Sequence, residues 1–263
     1  MITSSANQQM KRVIQLNKKS KTRWEQRVFV AEGIKMCLEA PRENIEAMYI
    51  SESFAVEIEN SEERRRQFQG YSYEVVADRI FQAVSDTKTP QGVLCLVKMP
   101  EYRLEDLLGD NQTAAHLLIL ESIQDPGNLG TMIRTGEGAG ITGVLMNRTT
   151  VDIYHPKTVR ATMGSLYRVP FYVADDLQDA VRKLKEKGVA LYAAHLAGNL
   201  SYDQPDYTKD AGFLIGNEGN GLCPETAQLA DTYIRIPMEG KVESLNAAVA
   251  AALLMYETNR QRK

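Results

Sequence analysis

Six short apolar runs constrain what this chain can become: VLCLV (93–97), LLILE (117–121), GVLM (143–146), FYVA (171–174), ALYAAH (190–195) and FLIG (213–216). VLCLV and LLILE are unbroken by polar residues until their ends, the pattern of a strand buried on both faces. The amphipathic stretch LQDAVRKLKEKG (177–188) reads as a helix between two of the later runs. Strand, loop, helix and strand joined by short connections predict an α/β fold with a largely parallel sheet. Ligands of such sheets sit at the carboxyl ends of the strands, which is where the glycine-rich loops of this chain fall.

The first hundred residues read as a smaller α/β unit. A basic helix near 7–20 is followed by a strand at Val28–Val30 and a helical stretch at 33–40. A strand at 47–51 and a charged helix at 57–69 lead to VLCLV. Residues 98–113, rich in Pro, Gly, Asp and Asn around a short helical LEDLL, read as a linker. In the second unit the loop SIQDPGNLG (122–130) opens a helix of small residues that ends at a glycine C-cap.

With 263 residues, 43% of them hydrophobic and 25% charged, the chain has room for two modest domains and no bias towards disorder. Ala247–Tyr256, the longest apolar stretch, is half of the roughly 20 residues that cross a membrane. The N-terminus lacks the hydrophobic segment of a signal peptide, and Cys37, Cys95 and Cys223 match no metal-ligand spacing. The expectation is a cytoplasmic, disulfide-free protein with no membrane and no metal. The net charge of −3 hides a basic run: eight Lys and Arg between Lys11 and Lys35, Lys18, Lys19, Lys21 and Arg23 among them, face only Glu25 and Glu32. Such a run is either a solvated face or a surface for nucleic-acid phosphates.

Nucleotide-triphosphate, dinucleotide, serine-hydrolase, zincin and kinase motifs are missing, and His116, His155 and His195 are scattered. Three segments remain. In DPGNLGTMIR, Asn128 stands in a turn and Arg134 lies one to two turns into a helix of small or apolar residues. In IGNEGNGL, Gly216, Gly219 and Gly221 around Asn217 and Glu218 require positive φ or close backbone approach. In IPMEGKVESLNAAVA, Ser244 and Asn246 precede an alanine-rich helix whose small side chains permit close packing, in a core or against a second subunit.

Together, in this order, the three segments resemble the motifs of the SpoU/TrmH family of RNA ribose 2′-O-methyltransferases, in the SPOUT superfamily. PKTVRATMGS (156–165) is also similar, with Thr162 where the family usually has Ser. The resemblance covers roughly 113–260. It is looser before that, through KKSKTR, FVAEG and the hydrophobic pattern to Val97. It implies a knotted (deep trefoil), mostly parallel α/β catalytic domain at 113–263 behind a ribosomal-protein-like RNA-binding domain at 1–105. It further implies an S-adenosyl-L-methionine site in which Gly216, Ile236 and Leu245 hold the donor by their backbones, with Leu196, Gly198, Asn217, Gly219, Gly221 and Met238 around it. Arg134 matches the catalytic arginine, and Asn128, Glu218, Ser244 and Asn246 match the polar motif residues that orient it. A homodimer packed through the knotted domains is implied, with RNA held in part by Lys18, Lys19, Lys21 and Arg23. Large-subunit (23S) ribosomal RNA is the expected acceptor, because a separate front domain can grip a structured RNA away from its target. A transfer-RNA ribose methyltransferase and a non-catalytic RNA-binding protein on the same scaffold are the alternatives.

Overall fold

Each of the six apolar runs falls on a strand, three of them passing its end by one residue, in a computed structural model that describes residues 1–109 and 113–263. The chain divides into two units, Met1–Pro100 with Asp152–Tyr167, and Glu101–Val151 with Arg168–Lys263. Part of the predicted linker lies outside the described residues.

In the first unit the strands are β1 (Val28–Glu32), β2 (Ile45–Ser51), β3 (Glu74–Val76) and β4 (Val93–Lys98), in the order β1-β4-β2-β3. β4 runs antiparallel to β1 and β2, while β3 joins β2 in parallel. The predicted basic helix is α1 (Gln8–Lys18), a second helix α2 (Ser20–Gln26) continues beyond it, and α3 (Ile34–Glu39) follows β1. The charged helix is also two, α4 (Glu52–Asn60) and α5 (Glu62–Phe68), because Ser61 accepts from the Arg64 N–H and caps the second. With α6 (Asp78–Val84), α1 buries Met10, Val13, Leu16, Ile80 and Phe81 in a core shared with β1, β2 and β4.

Asp152–Tyr167, expected in the second domain, groups with the first unit for an electrostatic reason. Asp152 accepts from Arg23 Nε at 2.9 Å, Ser20 Oγ at 2.7 Å and Trp24 Nε1 at 3.2 Å. Tyr154 lies against Trp24 and Phe29, with ring centroids 5.6 and 4.6 Å away. The short helix of this segment is α8 (Pro156–Ala161). Arg23 is 2% exposed and also donates to the Leu16 carbonyl at 2.6 Å. Its guanidinium therefore serves the interior of the unit, which corrects its expected place on an RNA-binding surface.

The second unit holds a seven-stranded sheet, parallel throughout: β5 (His116–Leu120), β6 (Gly143–Asn147), β7 (Phe171–Ala174), β8 (Ala190–Ala194), β9 (Leu200–Ser201), β10 (Ala211–Ile215) and β11 (Thr232–Arg235). Their order is β7-β6-β5-β10-β8-β11-β9. The helices are α7 (Pro126–Ala139), α9 (Leu177–Glu186), α10 (Pro224–Ala227) and α11 (Ala247–Gln261). α7 starts earlier than expected, because Pro126 fits the first turn and Asp125 caps it. LEDLL is a 3-10 turn whose Leu107 is fully buried against Gly143, where a Cβ would come within 2.7 Å. α7 and α11 pack closely: a side chain at Gly136 would meet Met255 Sδ at 3.3 Å, and Asn259 donates to the Ala139 carbonyl. Ala248 and Ala251 are buried in this packing, so it uses part of the alanine stripe within one chain, while Val249 and Tyr256 stay about half exposed.

Two stability predictions follow from buried charge. Arg23→Ala leaves Asp152 buried without its cation and should cost about 3 kcal/mol or more in urea unfolding. His116, 1% exposed, is pushed down to about 4 from 6.5 by burial and then by the charge of Arg262. Between those pH values the unfolded chain binds the proton and the folded chain does not. Stability should therefore fall as pH drops from 6.5 to 4, by roughly 3 kcal/mol at most. His116→Gln should flatten that part of the unfolding free energy measured against pH.

Candidate functional site at the carboxyl ends of the strands

β5 leads outward to β6 and β7 on one side, while β10 and β8 lie on the other, so the strand order, though not the strand direction, reverses between β5 and β10. The loops leaving these two strands are bound to each other. Glu121, at the end of β5 and 7% exposed, accepts from the Cys223 N–H at 2.7 Å and from Thr226 Oγ1 at 2.5 Å. In return Glu218, in the loop after β10, accepts from the N–H groups of Gln124 and Asp125 at 2.9 and 3.1 Å. Asn217 donates to the Ser122 carbonyl at 2.8 Å.

Glu218 extends this into a polar chain. Its Oε1 accepts from Asn128 Nδ2 at 3.0 Å, and Asn128 Oδ1 accepts from Asn246 Nδ2 at 3.0 Å. Asn246 is itself the N-cap of α11, accepting from the Ala248 N–H. Partial burial pushes the Glu218 carboxyl up, but the hydrogen bonds from Asn128, Gln124 and Asp125 outweigh it and hold the group below the ordinary glutamate value. An ionised, fully engaged carboxylate thus ties together one residue from each of the three sequence segments.

The glycines divide by cause. A Cβ on Gly216 would lie 2.1 Å from the Gly221 carbonyl carbon, and one on Gly198 would lie 2.6 Å from that of Ile234. Gly221 has φ +71°, and its N–H and C=O pair with those of Asn217 at 2.9 and 3.0 Å. Gly219 needs neither explanation: its φ is ordinary, and a Cβ there would meet only Asn217 Oδ1 at 3.5 Å. The expectation that all three loop glycines are conformationally required is corrected at that position.

Other expected site residues follow β8 and β11 in the chain or have side chains without a partner among the described residues. Arg134, just past the second turn of α7, is exposed, and its side chain forms no hydrogen bond or ion pair among the described residues. Ser244 is likewise exposed and unpaired among them. Ile236, Met238 and Leu245 are half-buried, and residues 236–245 make no hydrogen bond among the described residues. Leu196 is 73% exposed at the end of β8, next to β10 and β11. In the first unit Lys18, Lys19 and Lys21 are exposed, with Lys21 close to Glu25. Glu121, Gln124 and Asp125 were not singled out from the sequence. The signal was present for Glu121, an acid ending an otherwise apolar strand run.

Among the described residues no helix is long and apolar enough to cross a membrane, and no group of three His, Cys, Asp or Glu is placed to hold a metal. The fold is similar to that of an rRNA methyltransferase crystallised with AdoMet from Sinorhizobium meliloti. That structure is 31% identical, with a TM-score of 0.83 over 98% of this chain and 97% of that one. AviRb, a SpoU methyltransferase of Streptomyces viridochromogenes in complex with AdoMet, is 25% identical with a TM-score of 0.85, covering 97% and 98%. In sequence, the 23S rRNA (guanosine(2553)-2′-O)-methyltransferase RlmP of Bacillus subtilis is 36% identical over 182 residues, 69% of this chain and 70% of that protein. Residues 7–95 match the MRM3-like substrate binding domain. Residues 115–256 match the SpoU rRNA methylase family, and the chain belongs to that family.

The glycine geometry is directly testable. Gly216→Ala should cost about 1–3 kcal/mol in urea unfolding, since a backbone must move to admit it. Gly219→Ala should stay within about 0.5 kcal/mol of the parent.

Proposed function

We propose that this protein transfers a methyl group from S-adenosylmethionine to a ribose 2′-hydroxyl of large-subunit ribosomal RNA, as a cytoplasmic homodimer without a metal. The observation that carries the reading is the Glu218–Asn128–Asn246 chain, which locks the three segments together while Arg134 is left with no partner among the described residues. The deep trefoil knot belongs to the same reading. So does the assignment of residues 1–105 to RNA binding and 113–263 to catalysis.

The residues present fit the donor. The half-buried apolar side chains of Ile236, Met238 and Leu245 suit an adenine ring, and the backbone groups of 236–245, free of hydrogen bonds among the described residues, suit its polar edge. Gly198 and Gly216 let the neighbouring chains close behind it. When bound, S-adenosylmethionine supplies an electrophilic methyl group on a sulfonium. Arg134 then acts on the RNA. A guanidinium keeps its protons in proteins, so its work is electrostatic: it clamps a phosphate bidentately and steadies negative charge growing on the 2′-oxygen. Asn128, held from both sides, fixes the first turn of α7 and so the direction in which Arg134 leaves the helix. Ser244 offers a free hydroxyl to the nucleotide. The hydroxyl proton leaves to water, and alignment of the two reactants supplies the rest of the acceleration.

Mapping ribose methylations in ribosomal and transfer RNA from a deletion strain tests the reading: one 23S mark should vanish and return on complementation. A mark lost from transfer RNA instead, or none lost, would overturn the acceptor. Arg134→Ala should lose nearly all turnover and keep calorimetric donor binding. Arg134→Lys, with charge but no planar fork, should recover little if phosphate clamping dominates. For the dimer, light scattering should give twice the 29.4 kDa chain mass, and Val249→Glu on the exposed side of α11 should move it towards the monomer.

A further inference from the structure

The first unit has a cavity of about 440 Å³ on the flank of α5, lined by Arg65, Phe68, Gln69, Tyr71, Ser72 and Tyr73. Apart from Tyr71, its polar side chains differ from their neighbours in being uncommitted. In the run Arg64-Arg65-Arg66, Arg64 pairs with Glu57 at 2.7 Å and Arg66 pairs with Glu62. Glu63 is taken by Gln67 at 3.2 Å. Arg65 is exposed and has no carboxylate partner among the described residues. The side chains of Gln69, Ser72 and Tyr73 also form no hydrogen bond among them.

The two tyrosines play different parts. Tyr71 is structural: its hydroxyl donates to the Leu38 carbonyl at 3.5 Å, the Arg42 guanidinium covers its ring at 4.3 Å, and Phe68 lies 6.1 Å away. Tyr73 is 36% exposed and pairs with no other ring among the described residues. The cavity thus joins a supported aromatic wall, a free aromatic ring, two side chains able to read a polar edge and one unpaired cation. Apolar partners alone would leave Arg65, Gln69 and Ser72 unsatisfied on burial. An unstacked nucleobase with its phosphate satisfies all of them, and aromatic rings with arginine are how proteins hold such bases.

We propose that this cavity is a subsite for a single unpaired nucleotide of the RNA, with the base stacked on Tyr73 and its edge read by Gln69 and Ser72. The phosphate is paired with Arg65. None of its lining residues belongs to the basic helices α1 and α2, and it lies in the unit that matches a substrate binding domain. The proposal rests on the reading of the protein as an RNA methyltransferase.

The test uses the full chain and two fluorescent RNA probes of one sequence, a ten-nucleotide single strand and a fully paired duplex. Tyr73→Ala should weaken single-strand binding roughly 5- to 150-fold, the range for loss of one stacked base, and Tyr73→Trp should restore it. Arg65→Gln should lower the salt slope by about one phosphate contact. Duplex binding and donor binding should not change. On ribosomal RNA both variants should raise KM and leave kcat in place. If the wild type binds and methylates RNA but Tyr73→Ala matches it on the single strand, the subsite is wrong and the enzyme reading stands. Equal losses on strand and duplex would make the face a general electrostatic surface and overturn the base pocket. A wild type that binds neither probe and methylates no RNA would overturn both.

Discussion

Two carboxylates hold the centre of the second unit together, each leaving one strand and gripping the other strand's loop. Glu121 at the end of β5 takes the Cys223 N–H, and Glu218 after β10 takes those of Gln124 and Asp125. Backbone donors in loops that leave a parallel sheet have no ladder partner, and leaving them dry and unbonded is costly. The reciprocal arrangement satisfies three of them. It also sets the spacing of the two loops through charge-assisted bonds, which are shorter and stronger than neutral ones. The capping of α7, the position of Asn128 and the start of α11 all hang from this clasp.

The same economy of buried charge shapes the first unit, by a different route. Arg23 and Asp152 lie far apart in sequence, and their pairing draws residues 152–167 into a unit otherwise made of the first hundred residues. Around it Trp24, Phe29 and Tyr154 supply an aromatic shell that excludes water. In both units the decisive contacts are long in sequence and short in space.

That separation explains what was legible beforehand. The strands of the parallel sheet were visible because double burial leaves an unbroken apolar run. β3, β9 and β11 were not, being short and less buried. The polar segments could be named as a set, since Asn128, Glu218 and Asn246 share a recognisable pattern, but their mutual hydrogen bonds are tertiary facts. Arg23 was misplaced because a basic run does not show which of its members turns inward. Gly219 was misjudged because φ is set by the turn as a whole, and Gly221 takes the positive angle. Ser61 and Pro126 set helix boundaries through local capping chemistry, which the apolar periodicity does not carry.

Residues 236–245 are pinned at both ends, by β11 and by Asn246, yet form no hydrogen bond among the described residues in between. A donor seated there, as proposed, would be recognised by main chain, which every amino acid carries alike. Recognition of that kind is nearly blind to side-chain identity, so Glu239, Lys241, Val242 and Glu243 stand free of the constraint that fixes their neighbours. Such positions can drift, or be tuned to whatever lies outside the pocket, without erasing what the pocket reads. On that proposal the segment would separate an unchanging recognition from an adjustable exterior within one stretch of chain.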